Sequence, residues 1–212
     1  MTRLARFSAC VYCGSRDGAR PEYARAAALI GEGLARRGIR LVYGAGDVGL
    51  MGEVARAAQQ AGGQTFGVIP RHLETVEIGK QDLTSYVVTE TMHERKKVML
   101  MNADVVVCLP GGAGSLDELF EALTWRQLGL HDKPVFLLNT AGYWDKLIAL
   151  VEHMAQEGFC SADFLRFMQV ETSPLALLDR PPNHANGPPP VDLRRAGAVV
   201  DPRRDARRLQ NS

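Results

Sequence analysis

The chain has 212 residues, 46% of them hydrophobic and 23% charged, the composition of a soluble globular protein long enough to bury a sizeable core. Its 25 Lys and Arg residues offset 24 Asp and Glu, leaving a formal net charge of +1. This balance excludes a general electrostatic pull toward nucleic acid or an anionic membrane, so any anion site must be local.

The start, Met1 to Phe7, is basic, but its apolar part is too short for a signal peptide. No uninterrupted apolar run is long enough to span a bilayer, so a cytoplasmic protein that does not engage membranes is expected. Ser8 to Cys13 reads as a strand followed by a Gly-Ser turn. Pro21 to Arg37 reads as a helix, with Pro21 suited to the first turn and Gly38 placed to end it. Leu41 to Tyr43 is a second strand. A glycine-rich turn leads from it into a helix near Leu50 to Ala61, which Gly62-Gly63 stops. Thr65 to Ile69 is a third strand. Arg71 to Ser85 has weak periodicity and reads as an irregular loop, with a short strand after it at Tyr86 to Val88. Met92 to Asn102 is helical, Asp104 to Leu109 a very apolar strand, and Ser115 to Leu128 an amphipathic helix. Val135 to Leu138 is another buried strand, and Tyr143 to Glu157 another helix.

Strands apolar on both faces and separated by helices imply a parallel sheet covered on two sides. Right-handed crossovers then give an α/β fold: a doubly wound, Rossmann-like three-layer sandwich, expected over residues 1–180. After Arg180 the Pro pairs and the arginines around Arg203 and Arg207 lack apolar periodicity, and 181–212 reads as a flexible tail. Its arginines read as a solvated tail rather than a nucleic-acid site.

Cys10 and Cys13 form a C-x-x-C spacing, but no second pair and no nearby His completes a zinc site. With Cys108 and Cys160 they read as structural free thiols. The acidic residues show no metal-ligand spacing either, so no metal is expected.

In open parallel sheets, ligands bind beyond the carboxyl ends of the strands. Three strands here end in glycine-bearing turns that could line one cleft: Gly14-Ser15, Gly44-Ala-Gly46-Asp-Val-Gly49, and Pro110-Gly-Gly-Ala-Gly114-Ser115. The second fits G-x-G-x-x-G. However, a nicotinamide site wants an acidic residue after the next strand, where Ile69-Pro70-Arg71-His72 stands, so an NAD-dependent oxidoreductase is disfavoured. In the third turn, Gly111, Gly112 and Gly114 leave backbone amides uncovered just before a helix. Those amides and the positive end of the helix dipole make an anion site suited to a monophosphate. Ser115 and Glu118 read two ways: as a capping box with Ser115 at the N-cap, or as a hydroxyl on the phosphate and an ionised carboxylate beside a sugar. Arg95 and Lys96 form a dense basic pair before the Val-rich strand. They read as a solvated basic face or as a complement to the same phosphate. His93 reads as an ordinary polar helix residue.

Pro110-Gly-Gly-Ala-Gly-Ser-Leu-Asp-Glu118 is similar to a P-G-G-x-G-T-x-x-E signature. Together with Met92-His-Glu-Arg-Lys96 it resembles the LONELY GUY family, the cytokinin riboside 5'-monophosphate phosphoribohydrolases. The likeness extends from Cys10 to about Gly158, through Leu41 to Gly52, Gly67 to Pro70 and Thr124 to Pro134. The resemblance implies hydrolysis of the N-glycosidic bond of AMP or N6-substituted AMP without a cofactor. It places Arg95 and Glu118 at catalytic positions. Glu77, Lys96, Gly112, Ala113, Gly114, Ser115, Leu116, Asp117 and Thr124 fall at positions that contact nucleotide. It also implies a homodimer, with the Leu116 to Leu128 helix or its neighbours near the interface. Ser115 stands where Thr is usual, which keeps the hydroxyl. Ala45 stands where glycine is common and is expected to narrow that part of the cleft. Such proteins are often labelled lysine decarboxylases, yet no lysine here sits in a pyridoxal-phosphate context. The alternative from another class is a nucleotide sensor or carrier with the same turns and no turnover.

Overall fold

The computed structural model describes residues 7–74 and 79–180. The expectations for Met1 to Arg6, for Glu77 and for the tail at 181–212 lie outside the described residues.

Seven strands form one sheet, every pairing parallel: β1 (Phe7–Tyr12), β2 (Ile39–Tyr43), β3 (Thr65–Pro70), β4 (Ser85–Thr89), β5 (Val105–Cys108), β6 (Val135–Leu138) and β7 (Met168–Glu171). Their order is β4-β3-β2-β1-β5-β6-β7. The chain lays down β1, winds outward to β4, then returns across β1 to start β5. The direction of winding therefore reverses between β1 and β5, which puts the topological switch point there.

Strand alternation supplies both faces of the core. From β1, Ala9, Val11 and the adjoining Cys13 pack under α1 (Pro21–Arg36) and α2 (Gly49–Gln60). Cys10 and Tyr12 point the other way. On that face lie α4 (Met92–Met101), α5 (Ala113–Gln127) and α6 (Asp145–Gln156), through Met99, Leu119, Leu123, Trp144 and Val151. The result is the three-layer, doubly wound α/β sandwich read from the sequence. Pro21 opens α1 at its first turn, and Gly38 follows its end in the left-handed region at φ 67°, donating its N–H to the Ala35 carbonyl.

Five features differ from the sequence reading. The stretch from Arg71 begins with one helical turn, α3 (Arg71–Glu74). β7, a 3-10 segment at Ala162–Phe167 and the short α7 (Pro174–Leu178) were not expected. Among the described residues β7 pairs only with β6, and four residues reading Met-Gln-Val-Glu are too few to declare a period. Finally, α5 begins at Ala113 with Gly112 as its N-cap, and no side chain caps it. Ser115 therefore sits inside the first turn, and the capping box read at Ser115 and Glu118 does not form. A capping box does form at α4, where the Thr91 hydroxyl accepts from the Glu94 N–H and the Glu94 carboxylate accepts from the Thr91 N–H.

Candidate active site

The carboxyl ends of β1 and β5 lie side by side, with Tyr12 in register with Cys108. Beyond them opens a cleft of about 570 Å³, within the range that small-ligand sites occupy. Gly14, Ser15, Gly44, Arg95, Gly111, Gly112, Ala113, Gly114, Ser115, Asp117 and Glu118 all line it. The sequence pointed to each of these, and the topology brings them to one place.

The three turns are tied together through the main chain. The Gly14 N–H donates to the Pro110 carbonyl at 3.0 Å, and the Met51 N–H donates to the Gly14 carbonyl at 3.3 Å. The Pro-Gly-Gly turn is tight: a β-carbon on Gly111 would lie 2.1 Å from the Ser115 Oγ. Gly112 then starts α5, with φ −95° and ψ −153°. The first amides of a helix have no acceptor within it, and the Gly112 N-cap has no side chain to satisfy them. They meet the cleft together with the positive end of a 15-residue helix.

Arg95 and Lys96 are neighbours in sequence but point about 100° apart, as consecutive helical residues must. Arg95 runs under the cleft and is only 5% exposed. Its Nε donates to the Val68 carbonyl at 3.1 Å, and one terminal nitrogen donates to the Gly44 carbonyl at 2.6 Å. Lys96, equally buried, reaches α5 instead, where its ammonium lies 3.0 Å from Asp117 and 2.9 Å from Glu121. It does not line the cleft of its own chain. Burial works against its charge, but the hydrogen bonds it donates to Glu121 and Asp117 outweigh burial and raise its pKa.

Glu118, one turn into α5, is half-buried and faces the cleft. Its carboxylate raises the pKa of Cys10, Cys13, Cys108 and Tyr12, in each case adding to the larger effect of burial. A carboxylate felt by all four stands over the ends of β1 and β5.

Other predicted residues lie elsewhere. Gly46 is buried beside Met51 and forms an isolated antiparallel bridge to Gly79. Thr124 is exposed on the outer side of α5, where it and Leu116 line a shallow groove with Phe120 and Trp125. Ala45 does not narrow the cleft. It is fully buried in the left-handed region at φ 57°, and its methyl group faces Gly67 across the sheet. His93 is exposed and lies off the cleft, as an ordinary polar helix residue would.

Sequence reasoning missed the apolar wall formed by Val11, Leu50, Met51, Leu73, Met92 and Met99, and it missed Tyr143. Tyr143 follows the carboxyl end of β6, so the strand-end rule that nominated the glycine turns also pointed at it. The C-x-x-C pair is divided by the pleat: Cys10 and Cys13 fall on opposite faces of the sheet, and all four thiols are free. Among the described residues no group of three His, Cys, Asp or Glu could hold a metal ion, and no helix is long and apolar enough to cross a membrane.

An all-parallel, doubly wound sheet with its cleft at the switch point places the chain among the Rossmann-like α/β proteins. Solved structures agree. A molybdenum cofactor carrier protein from Chlamydomonas reinhardtii has a TM-score of 0.62 at 21% identity, covering 81% of this chain and 92% of its own. A molybdenum cofactor binding protein from Rippkaea orientalis has a TM-score of 0.63 at 24% identity, covering 84% of this chain and 95% of its own. At such identities the likeness establishes the fold alone. The family model described as "Possible lysine decarboxylase" matches residues 51–180. A cytokinin riboside 5'-monophosphate phosphoribohydrolase of Arabidopsis thaliana is 45% identical over 152 residues, 72% of this chain and 70% of that protein. One from Oryza sativa subsp. japonica is 43% identical over 167 residues, 78% of this chain and 69% of that protein. The chain belongs to the cytokinin riboside 5'-monophosphate phosphoribohydrolase family.

Proposed function

We propose that this chain is a hydrolase that cleaves the N-glycosidic bond of AMP or its N6-substituted, cytokinin-type forms, releasing free base and ribose 5-phosphate. The observation that carries this reading is one cleft holding an uncapped helix start, a buried arginine and a carboxylate. The phosphate docks on the amides from Gly112 to Ser115, where a helix N-terminus favours an anion. The ribose then lies against Glu118, whose negative charge stabilises the positive charge that grows on C1' as the bond to the base lengthens. Glu118 also orients the attacking water. The water's hydroxyl ends on C1' and its proton on the departing purine nitrogen. Arg95, held rigid by two main-chain carbonyls, anchors the substrate and offsets charge as the base leaves. The apolar wall around Met51 and Met92 suits a purine and an apolar N6 group.

The decarboxylase description finds no support in the cleft. Pyridoxal-phosphate chemistry needs a lysine to carry the cofactor, and no lysine is among the described lining residues.

A homodimer is part of the same reading. Leu116, Phe120 and Trp125 are only partly buried on the outer side of α5, and Leu130, three residues past its end, is 66% exposed. Such a patch favours a second copy. It would also give Thr124 a route to a nucleotide that its own chain's cleft does not offer. Light scattering tests this: the reading requires twice the mass of one chain. A cytoplasmic location goes with this reading.

The activity is tested by incubating the purified protein with AMP and with N6-isopentenyl-AMP and quantifying free base and ribose 5-phosphate. Both products are expected in equal amounts, and Glu118→Ala should slow turnover by about a hundredfold or more. Saturable nucleotide binding without release of base would instead identify a carrier or sensor.

A further inference from the structure

The Tyr143 side chain makes one hydrogen bond among the described residues. Its hydroxyl donates to the Gly111 carbonyl at 2.6 Å, bridging from the far side of the sheet's switch point to the turn before α5. Its ring is 39% exposed and lines the cleft. We propose that Tyr143 is a positioning residue for the phosphate subsite: its hydroxyl fixes the Gly111–Gly112 peptide so that the Gly112 N–H faces the cleft, and its ring walls the same subsite. The proposal rests on the reading that a nucleotide phosphate docks at the start of α5.

The geometry follows from peptide planarity. All described peptide bonds are trans, so carbonyl and N–H of one peptide point in opposite directions. The peptide before Gly111 is pinned through its carbonyl by the Gly14 N–H. The peptide after it is pinned through its carbonyl by Tyr143. Glycine neighbours leave that second peptide free to flip, because Gly111 and Gly112 resist rotation less than any other pair of residues would. Among the described residues no other hydrogen bond to the Gly111 carbonyl is seen, so the Tyr143 hydroxyl sets which way the next N–H points.

Tyr143 is itself held firmly. Ala141 and Gly142, immediately before it, both lie in the left-handed region, at φ 53° and 72°. For Ala141 this conformation costs about 1 kcal/mol, and it persists only where surroundings over-determine it. They do so here. The Asn139 side chain accepts from the Trp144 N–H at 2.7 Å and donates to Asp145 at 2.7 Å. Arg20 donates to the Ala141 carbonyl at 3.3 Å. Edge-to-face contacts with Tyr23 at 5.4 Å and Trp144 at 4.7 Å fix the ring. A strained, multiply tied turn thus delivers one hydroxyl to one carbonyl.

The experiment compares wild type with Tyr143→Phe, which keeps the ring and its edge contacts. Inorganic phosphate binding is measured by titration calorimetry, AMP hydrolysis by steady-state kinetics, and folding by thermal melting. One directed hydrogen bond is worth up to about a tenfold change in equilibrium constant. The expected result is a phosphate Kd and an AMP KM each raised about tenfold, with kcat within about threefold and the melting temperature nearly unmoved. A phosphate Kd equal to that of wild type overturns the proposal, as does a fall in kcat with KM unmoved. Wild type that fails to bind phosphate at all also overturns it. Wild type that binds phosphate but releases no base defeats the hydrolase reading alone, and the two phosphate affinities still decide the role of Tyr143.

Discussion

The Arg95 guanidinium donates to the Gly44 carbonyl at 2.6 Å, and a β-carbon at position 44 would lie 2.1 Å from the same nitrogen. The glycine thus makes both the acceptor and the room for the arginine. Gly44→Ala must push the guanidinium aside or move β2's end. The expected loss in kcat/KM for AMP is about a hundredfold, the scale of losing a preorganised charge. Because both changes remove the same placement, Gly44→Ala and Arg95→Met should not add when combined. Measured kcat/KM values that multiply independently would show that Gly44 acts by some other route.

Lys96 gives the pH dependence a definite sign. Its side chain is 6% exposed between Asp117 and Glu121, and its pKa is raised above the 10.5 of a free lysine. A raised pKa means that the pairing stabilises the fold fully below the free value and is lost as pH rises through the raised one. Melting temperature should therefore hold up to about pH 10 through this contact and fall above it. Lys96→Met should cost about 2 kcal/mol at neutral pH, below the usual figure for a buried pair because Asp117 is 60% exposed. The variant should also lose less on going to high pH than wild type does. Parallel alkaline melting curves would contradict the assignment.

Thiol chemistry should divide the four cysteines. Burial, with Glu118 adding to it, pushes the Cys10, Cys13 and Cys108 thiols well above the ordinary range, and none of the three is more than 7% exposed. The thiolate is the reactive form, so these three should react slowly even though Cys13 lines the cleft. Cys160 is the partly exposed one. A thiol reagent at pH 8 should titrate one group quickly in the folded protein and four in denaturant. Rapid titration of a second group, mapped to Cys13, would mean that the cleft floor is more open than its burial indicates.

Much of this was legible in the sequence because the signals were local. Alternating Ala9, Cys10, Val11, Tyr12 and Cys13 declared a strand buried on both faces, and the glycine turns declared where backbone must come close. The start of α5 was misplaced because Ser115 and Glu118 match a capping pattern that nearly any helix start satisfies, whereas the true boundary depends on how Gly111 packs against Ser115. Arg95 and Lys96 were read as one basic cluster because spacing shows adjacency and not direction. Only the position of α4 against β3 on one side and α5 on the other separates them. Tyr143 was invisible as a partner of Gly111, since 32 residues separate them and neither residue type carries a signal of the other.

Ala45 tests how far a family departure reaches the cleft. Its methyl group points at Gly67, where a β-carbon would come within 2.8 Å of it, and the residue is fully buried. Ala45→Gly relieves about 1 kcal/mol of left-handed strain. It also removes a buried methyl worth about 0.8 kcal/mol and adds about 0.5–1 kcal/mol of unfolded-chain freedom. These contributions nearly cancel, so stability should stay within about 1 kcal/mol of wild type. KM for AMP and for N6-isopentenyl-AMP should not move, because the deleted methyl group never faced the nucleotide. If the methyl narrowed the cleft instead, the glycine variant would bind the bulkier substrate more tightly and AMP no differently. A selective fall in KM for N6-isopentenyl-AMP is therefore the outcome that this orientation of Ala45 forbids.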